Sequence, residues 1–221
     1  MKIAILGGTG DEGFGLGYRW ASAGHEIIIG SRLAEKGEWA AAALLEKLPD
    51  ATVSGTDNKT AAARGEIVVL SVPYEAQKAT LVAVLEEISG KLLISVVVPL
   101  TRPKVSHVWQ PETGSAAQEA QAICGESTRV VAAFQTIAAK HLVDSDKPID
   151  SDVLICGPSK QDKLLVASLA EQAGMRGIDA GPLQNAVVAE GLAAVLIGIN
   201  IRHKVKDAGF RITGLDPRDA E

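Results

Sequence analysis

The sequence predicts a doubly wound α/β fold, a mostly parallel sheet between two helix layers, followed by a small helical C-terminal domain. Three observations carry this. The glycine-dense stretch "GGTGDEGFG" comes directly after the apolar run "KIAIL". Further apolar runs recur along the chain and are continuous rather than alternating, as in strands covered on both faces. Between them lie Ala-, Leu- and Glu-rich stretches, each closed by glycine or proline, which read as helices with their stops.

In chain order, the strands are expected at Lys2 to Leu6, His25 to Gly30, Glu66 to Val72, Lys91 to Val98, Arg129 to Phe134, Asp152 to Cys156 and Arg176 to Ala180, with a weaker one at Thr52 to Gly55. The first three are separated by helical stretches, among them "EKGEWAAAALLEKL"; "EAQKATLVAVLEEI" follows the Glu66 run and "KQDKLLVASLAEQAG" the Asp152 run. After Gly181 and Pro182 the pattern changes to one long apolar helix, expected to reach about Ala208, and then a polar tail, "GLDPRDAE". The domains are therefore set at 1–181 and 182–221.

With 22 basic and 27 acidic residues the net charge is -5. No basic block of the kind that tracks a phosphate backbone occurs, which argues against nucleic acid as a partner. The amino terminus lacks the pattern of a signal peptide, so a cytoplasmic location is expected. The apolar region Asn185 to Ile201 is interrupted by Glu190 and reads as a buried helix, too short to cross a bilayer comfortably; no membrane partner is expected. Cys124 and Cys156 stand far apart without metal-ligand spacing, and both read as small buried hydrophobes; no metal site is expected.

The glycines have a mechanical reading. Gly8, Gly10 and Gly13 form G-x-G-x-x-G between a predicted strand and a predicted helix, the arrangement of a Rossmann-type dinucleotide site. One glycine makes the tight turn, the next admits a pyrophosphate, and the third lets helix pack on strand; the helix N-terminus then faces the phosphates. The second strand decides which dinucleotide. It ends "IIIGSR", with no carboxylate for a ribose 2'-hydroxyl, whereas Ser31, Arg32 and Lys36 suit a 2'-phosphate. The site reads as NADP(H). Ser71, Val72, Pro73 and Tyr74 end another strand beside the expected groove, where ligands of such sheets bind. The loops "VVVPLTRP" and "FQTIAAKHL" occupy equivalent places.

Acid/base candidates are few. Of the four histidines only His141, next to Lys140, follows a strand that should point into the cleft, and in an Ala-rich helix start the pair also fits a solvated polar face. If both partners are redox cofactors, a hydride can pass between stacked rings and the protein need only orient them and exclude water. No catalytic residue is then required.

The run "ILGGTGDEGFGLGYRWASAGHEIIIGSR", with "VVVPL", "FQTIAA", "CGPSKQDK" and "GIDAGPLQNA", resembles the NADPH-dependent coenzyme F420 reductase family, also called F420-dependent NADP reductases, over nearly the whole chain. The resemblance implies a homodimer and reversible hydride exchange between NADP and C5 of the deazaflavin coenzyme F420. It implies NADP(H) contacts from Thr9, Ser31, Arg32 and Lys36, with Val72 and Pro73 near the nicotinamide and Ala138 bordering it. Gln135 stands where the family's "HTIPA" motif has histidine and would offer its amide to the ring's polar edge. The family's "ESLTPL" reads "EGLAAV" here, so Gly191 and Ala193 replace hydroxyl residues near the deazaflavin. Two other readings remain: an NADP-dependent reductase of a flavin, imine or ketone using Lys140 or His141 as proton source, and a non-catalytic NADPH sensor.

Overall fold

The computed structural model describes residues 1–100, 103–143 and 149–215. Thr101 and Arg102 of the "VVVPLTRP" loop and the end of the polar tail lie outside the described residues.

Six strands form one parallel sheet: β1 (Lys2–Leu6), β2 (Glu26–Ser31), β3 (Val53–Asp57), β4 (Ile67–Leu70), β5 (Leu92–Ser95) and β6 (Arg129–Ala132), in the order β3-β2-β1-β4-β5-β6. The continuous apolar runs are explained by the pleat, because successive side chains go to opposite faces. Ile3, Ile5, Ile27 and Ile29 enter one core with Leu16, Trp20 and Leu44. Ala4, Leu6, Ile28 and Val68 enter the other, with Leu81, Ala116 and Ala120. The helices α1 (Asp11–Ser22) and α2 (Ala34–Lys47) cover the first face, with α3 (Asn58–Arg64), α4 (Tyr74–Ala83), the short α5 (Leu85–Ile88) and α6 (Ala116–Cys124) on the second. Each expected strand of this sheet is present, including the weak third one; β4, β5 and β6 are shorter than their apolar runs.

The last two expected strands, β7 (Asp152–Ile155) and β8 (Arg176–Asp179), do not extend the parallel sheet. They pair with each other in parallel, joined by α7 (Lys160–Gln172), and meet β6 through one antiparallel bridge, Ala132 with Cys156. The indole N–H of Trp20 donates to the carbonyl of Leu169 at 2.9 Å, tying α1 to α7.

The long apolar helix α8 (Ala186–His203) ends earlier than its composition suggests. Lys204 takes a left-handed conformation (φ 55°), and Asn200 folds back on the turn: its carbonyl accepts from Val205 N–H and its Oδ1 from Ala208 N–H. The chain then runs along the edge of β7, where the N–H of Asp152 donates to the carbonyl of Phe210. The fully buried Asp152 carboxylate is held by the Arg176 fork at 2.6 and 2.9 Å and by Ile212 N–H at 2.6 Å. Burial opposes its charge, but these donors and Arg211 hold it below the usual aspartate range.

Glu190 anchors α8. It is 3 % exposed, and its carboxylate accepts the N–H groups of Ala116 and Ala117 at 2.7 and 3.0 Å, two otherwise unpaired donors of the α6 N-terminus. Burial pushes its pKa up to about 7 despite these donors. The residues Leu183–His203 are, by length and composition, long and apolar enough to cross a membrane, more than the stretch Asn185 to Ile201 suggested, with mean hydropathy 1.5. The buried, bonded Glu190 on α8 fits a core helix. Both cysteines are buried and unpaired, as expected.

Candidate functional site

The strand order reverses direction at β1, between β2 and β4, so a crevice opens outside the carboxyl ends of these strands. The cleft there has a volume of about 790 Å³. Thr9, Gly10, Ser31, Arg32, Lys36, Ser71, Val72 and Pro73, all named from the sequence, line it together.

The glycine loop divides its tasks differently from the spacing read in the sequence. The turn is made by Gly7, whose φ is +74° and where a Cβ would lie 2.5 Å from both the Ser71 carbonyl and a Val72 methyl. Gly8 instead pins the loop to β2, its N–H donating to the carbonyl of Gly30 at 3.0 Å. Gly10 lines the cleft, where a Cβ would meet only the Gly7 carbonyl oxygen at 3.7 Å, and Gly13 abuts Gly8 and Ser71, as helix–strand packing requires. Gly8 and Gly13 thus shape the cleft from behind without lining it.

Asn58 was not legible as a site residue. The parallel register sets Leu6 beside Gly30 and Gly30 beside Thr56, so the residues just past β1, β2 and β3 come level. Asn58 Oδ1 then accepts the N–H of Gly7 at 3.2 Å, and Asn58 lines the cleft. The nearest signal in the sequence was the "TDN" helix start, where Asp57 caps α3 by accepting from Thr60 N–H.

Arg32 and Lys36 are exposed on the cleft wall formed by the β2–α2 connection. Their position depends on how closely α2 approaches β3. Gly37 and Gly55 meet backbone to backbone: a Cβ on Gly55 would lie 2.1 Å from the Gly37 carbonyl carbon, and one on Gly37 would lie 2.4 Å from the Thr56 oxygen. No side chain fits between them.

The remaining named residues lie outside this cleft's lining. Gln135 is buried; one N–H of its Nε2 donates to the Ser95 carbonyl at 2.8 Å, and its Oε1 has no partner. Ser95 Oγ is likewise buried and unpartnered. Phe134, just before Gln135, has a left-handed backbone (φ 73°) and stacks edge-on against Trp20 at 5.7 Å. Strained, non-glycine backbone of this kind collects at ligand sites. Ala138 is half-buried and precedes a 3-10 turn, Ala139–His141. Lys140 and His141 on that turn both face Asp207, at 3.1 and 3.6 Å. Beside α8, Val108 lies 3.4 Å from where a Gly191 Cβ would stand, and Ala193 is buried. The adjoining Trp109 meets Tyr74 edge-on at 5.6 Å, and Tyr74 Oη donates to Glu119 at 2.6 Å. No cluster of metal ligands occurs among the described residues.

The residues present fit a dinucleotide. The cleft offers bare backbone at Gly10, the N-terminus of α1, and exposed basic side chains at one end. Beyond the cleft, the unpartnered Oε1 of Gln135 and Oγ of Ser95 offer hydrogen bonds that the protein itself leaves unmade.

Comparison with known proteins agrees. Residues 2–99 match the family model described as NADP oxidoreductase, coenzyme F420-dependent. The chain is 44% identical to the F420-dependent NADP reductase of Methanocaldococcus jannaschii, covering 98% of this chain and 100% of that one. It is also 44% identical to the enzyme of that name from Methanothermobacter marburgensis, covering 97% and 99%. A crystal structure from Arthrobacter sp. FB24, provisionally named an F420-dependent NADP reductase, superposes with TM-score 0.79 at 27% identity, covering 96% of this chain and 99% of that one.

Proposed function

The chain belongs to the F420-dependent NADP reductase family, and from that premise we propose that it transfers a hydride between NADP(H) and the deazaflavin coenzyme F420. The observation that carries the dinucleotide half is the cleft wall after β2. Ser31, Arg32 and Lys36 line it, and no carboxylate stands where a ribose 2'-hydroxyl would be bound. Charge-assisted hydrogen bonds from an arginine fork and a lysine suit a phosphate there.

NADP(H) and the deazaflavin, when bound, supply the hydride chemistry between them. The protein binds, orients and excludes water. Arg32, Lys36 and Ser31 hold the 2'-phosphate end; Thr9 and Gly10, with the N–H groups that open α1, hold the pyrophosphate; Val72 and Pro73 flank the nicotinamide. Asn58 keeps Gly7, and with it the loop, in register. Ala138 and Gln135 border the ring site, where Gln135 Oε1 is free to accept a hydrogen bond. No protein acid or base is needed for the hydride itself, in keeping with Lys140 and His141 being turned to Asp207.

Residues 1–181 act as the dinucleotide-binding domain, and 182–221 complete the cleft for the second ring. The outward face of α8, with Val188, Val195 and Ile201 exposed, supports assembly as a homodimer. The enzyme works in the cytoplasm on small-molecule cofactors.

The test is absorbance at the deazaflavin band when purified protein is mixed with oxidised F420 and NADPH, with NADH and FMN in parallel. Rapid bleaching with NADPH and little with NADH is expected. NADPH binding without bleaching would refute the deazaflavin partner and trace the change to Gln135, Gly191 and Ala193.

A further inference from the structure

The first turn of α1 carries a carboxylic acid to which the cleft described above gives no role. Glu12 stands two residues beyond Gly10; it is half-buried, and its Oε1 is shut from solvent with no hydrogen-bond partner. A carboxyl in that state is far easier to bury neutral than charged. Burial, reinforced by the neighbouring Asp11 carboxylate, pushes its pKa up to about 8. At neutral pH the balance favours the protonated acid.

Its place follows from the contacts on either side. Gly13 abuts Ser71, which puts the first turn of α1 against the segment Ser71–Pro73. That segment follows β4, whereas Arg32 follows β2, on the opposite side of β1. On the other flank of α1, Gly15 packs on Leu142, and the Arg19 guanidinium donates to the carbonyls of Leu142 and His141 at 2.8 and 2.6 Å. Glu12 and Arg19, seven residues apart, share one stripe of the helix. Glu12 is therefore held between the segment after β4 and the segment after β6. If the basic pair takes the 2'-phosphate, this is the nicotinamide end.

We propose that Glu12 distinguishes the two redox states of the bound dinucleotide: it stays protonated beside the neutral ring of NADPH and ionises beside the cationic ring of NADP+. The inference rests on the NADP(H) reading above. Binding NADP+ then releases the Glu12 proton to solvent, and binding NADPH does not. The charged groups around it do not substitute for this. On α1, Asp11 favours the neutral acid and Arg19 is engaged with backbone carbonyls; on the turn after β6, Lys140 and His141 face Asp207; across the cleft, Glu75 opens α4. A cationic ring is the new charge that tips the balance.

Calorimetric titration of the full chain with NADP+ and with NADPH from pH 6 to 8, in buffers of different ionisation heat, tests this. The 2'-phosphate titrates in both ligands and cancels in the ratio of their dissociation constants. In the wild type the NADP+/NADPH ratio of Kd should fall with rising pH, by up to roughly tenfold per pH unit until Glu12 ionises unaided. Net proton release should be greater with NADP+ than with NADPH, by up to one proton per site. Glu12→Gln, whose amide copies the neutral acid, should bind NADPH and lose the slope. Binding of both ligands with a flat wild-type ratio, or the same slope in E12Q, overturns the role of Glu12 and leaves the NADP(H) reading standing; binding of neither overturns both. If E12Q does not fold, the wild-type ratio and proton count decide.

Discussion

Replacing Gly55 by alanine drives a methyl group into the backbone of α2. The new Cβ would lie 2.1 Å from the Gly37 carbonyl carbon and oxygen and 2.3 Å from the Glu38 nitrogen, against 3.4 Å for ordinary contact. Neither neighbour is a flexible side chain, so the start of α2 must retreat by about 1.3 Å or β3 must buckle, an overpacking that costs about 1–3 kcal/mol. For a chain of this size that lowers the melting temperature by roughly 3 to 10 °C. The same retreat carries off Lys36, one residue before Gly37, and shifts Arg32. Charge-assisted hydrogen bonds contribute about 1.5–3 kcal/mol each, so stretching them should weaken NADPH binding roughly tenfold. NADH, which has no 2'-phosphate, should be unaffected beyond the general loosening. Thermal melts and fluorescence titrations with both dinucleotides on wild type and G55A read the two effects. An unchanged melting temperature would refute the close contact; a lowered one with an unchanged NADPH/NADH ratio would refute its link to the basic pair.

Arg32→Ala should raise the Kd for NADPH by about 10- to 100-fold and leave that for NADH within about twofold, by fluorescence titration. Lys140→Ala removes only an exposed pairing with Asp207, so NADPH-driven F420 reduction should stay within about twofold of wild type; a loss beyond tenfold in steady-state assays would favour a reductase that uses Lys140 as its proton source. For Glu190, the folded state holds its proton to about pH 7 and the unfolded chain only to 4.5. Its contribution to stability is therefore fully present below 4.5 and lost as pH rises through 7, a change on the order of 3 kcal/mol. Urea melts of wild type and Glu190→Gln at pH 5 and 8 should show the wild type losing that much more, and parallel losses would refute the buried carboxyl as its source.

The sequence by itself determined the alternation of strands and helices, because a strand stretch covered on both faces must be apolar at every position, and "IAIL", "IIIG" and "IVVL" are. It also pointed to the proposed cofactor end of the site. A glycine loop, a strand end without a carboxylate, and Ser31, Arg32 and Lys36 are all local, and the fold only had to bring their segments to one crevice. Other features were decided by partners distant in sequence. The separate β7–β8 pair, the early stop of α8 after His203, and the Asp152–Arg176 clamp on the tail each depend on contacts dozens of residues away or on a turn that composition does not encode. Gly7, rather than Gly8, makes the turn, where Val72 and Ser71 crowd it from the segment after β4. Asn58 joins the cleft only through the register of three strands. Glu12 and Glu190 read as ordinary acids in the sequence, since a carboxyl's charge state is set by what surrounds it, and only the packed structure says that Glu190 is buried and that Glu12 Oε1 is shut from solvent without a partner.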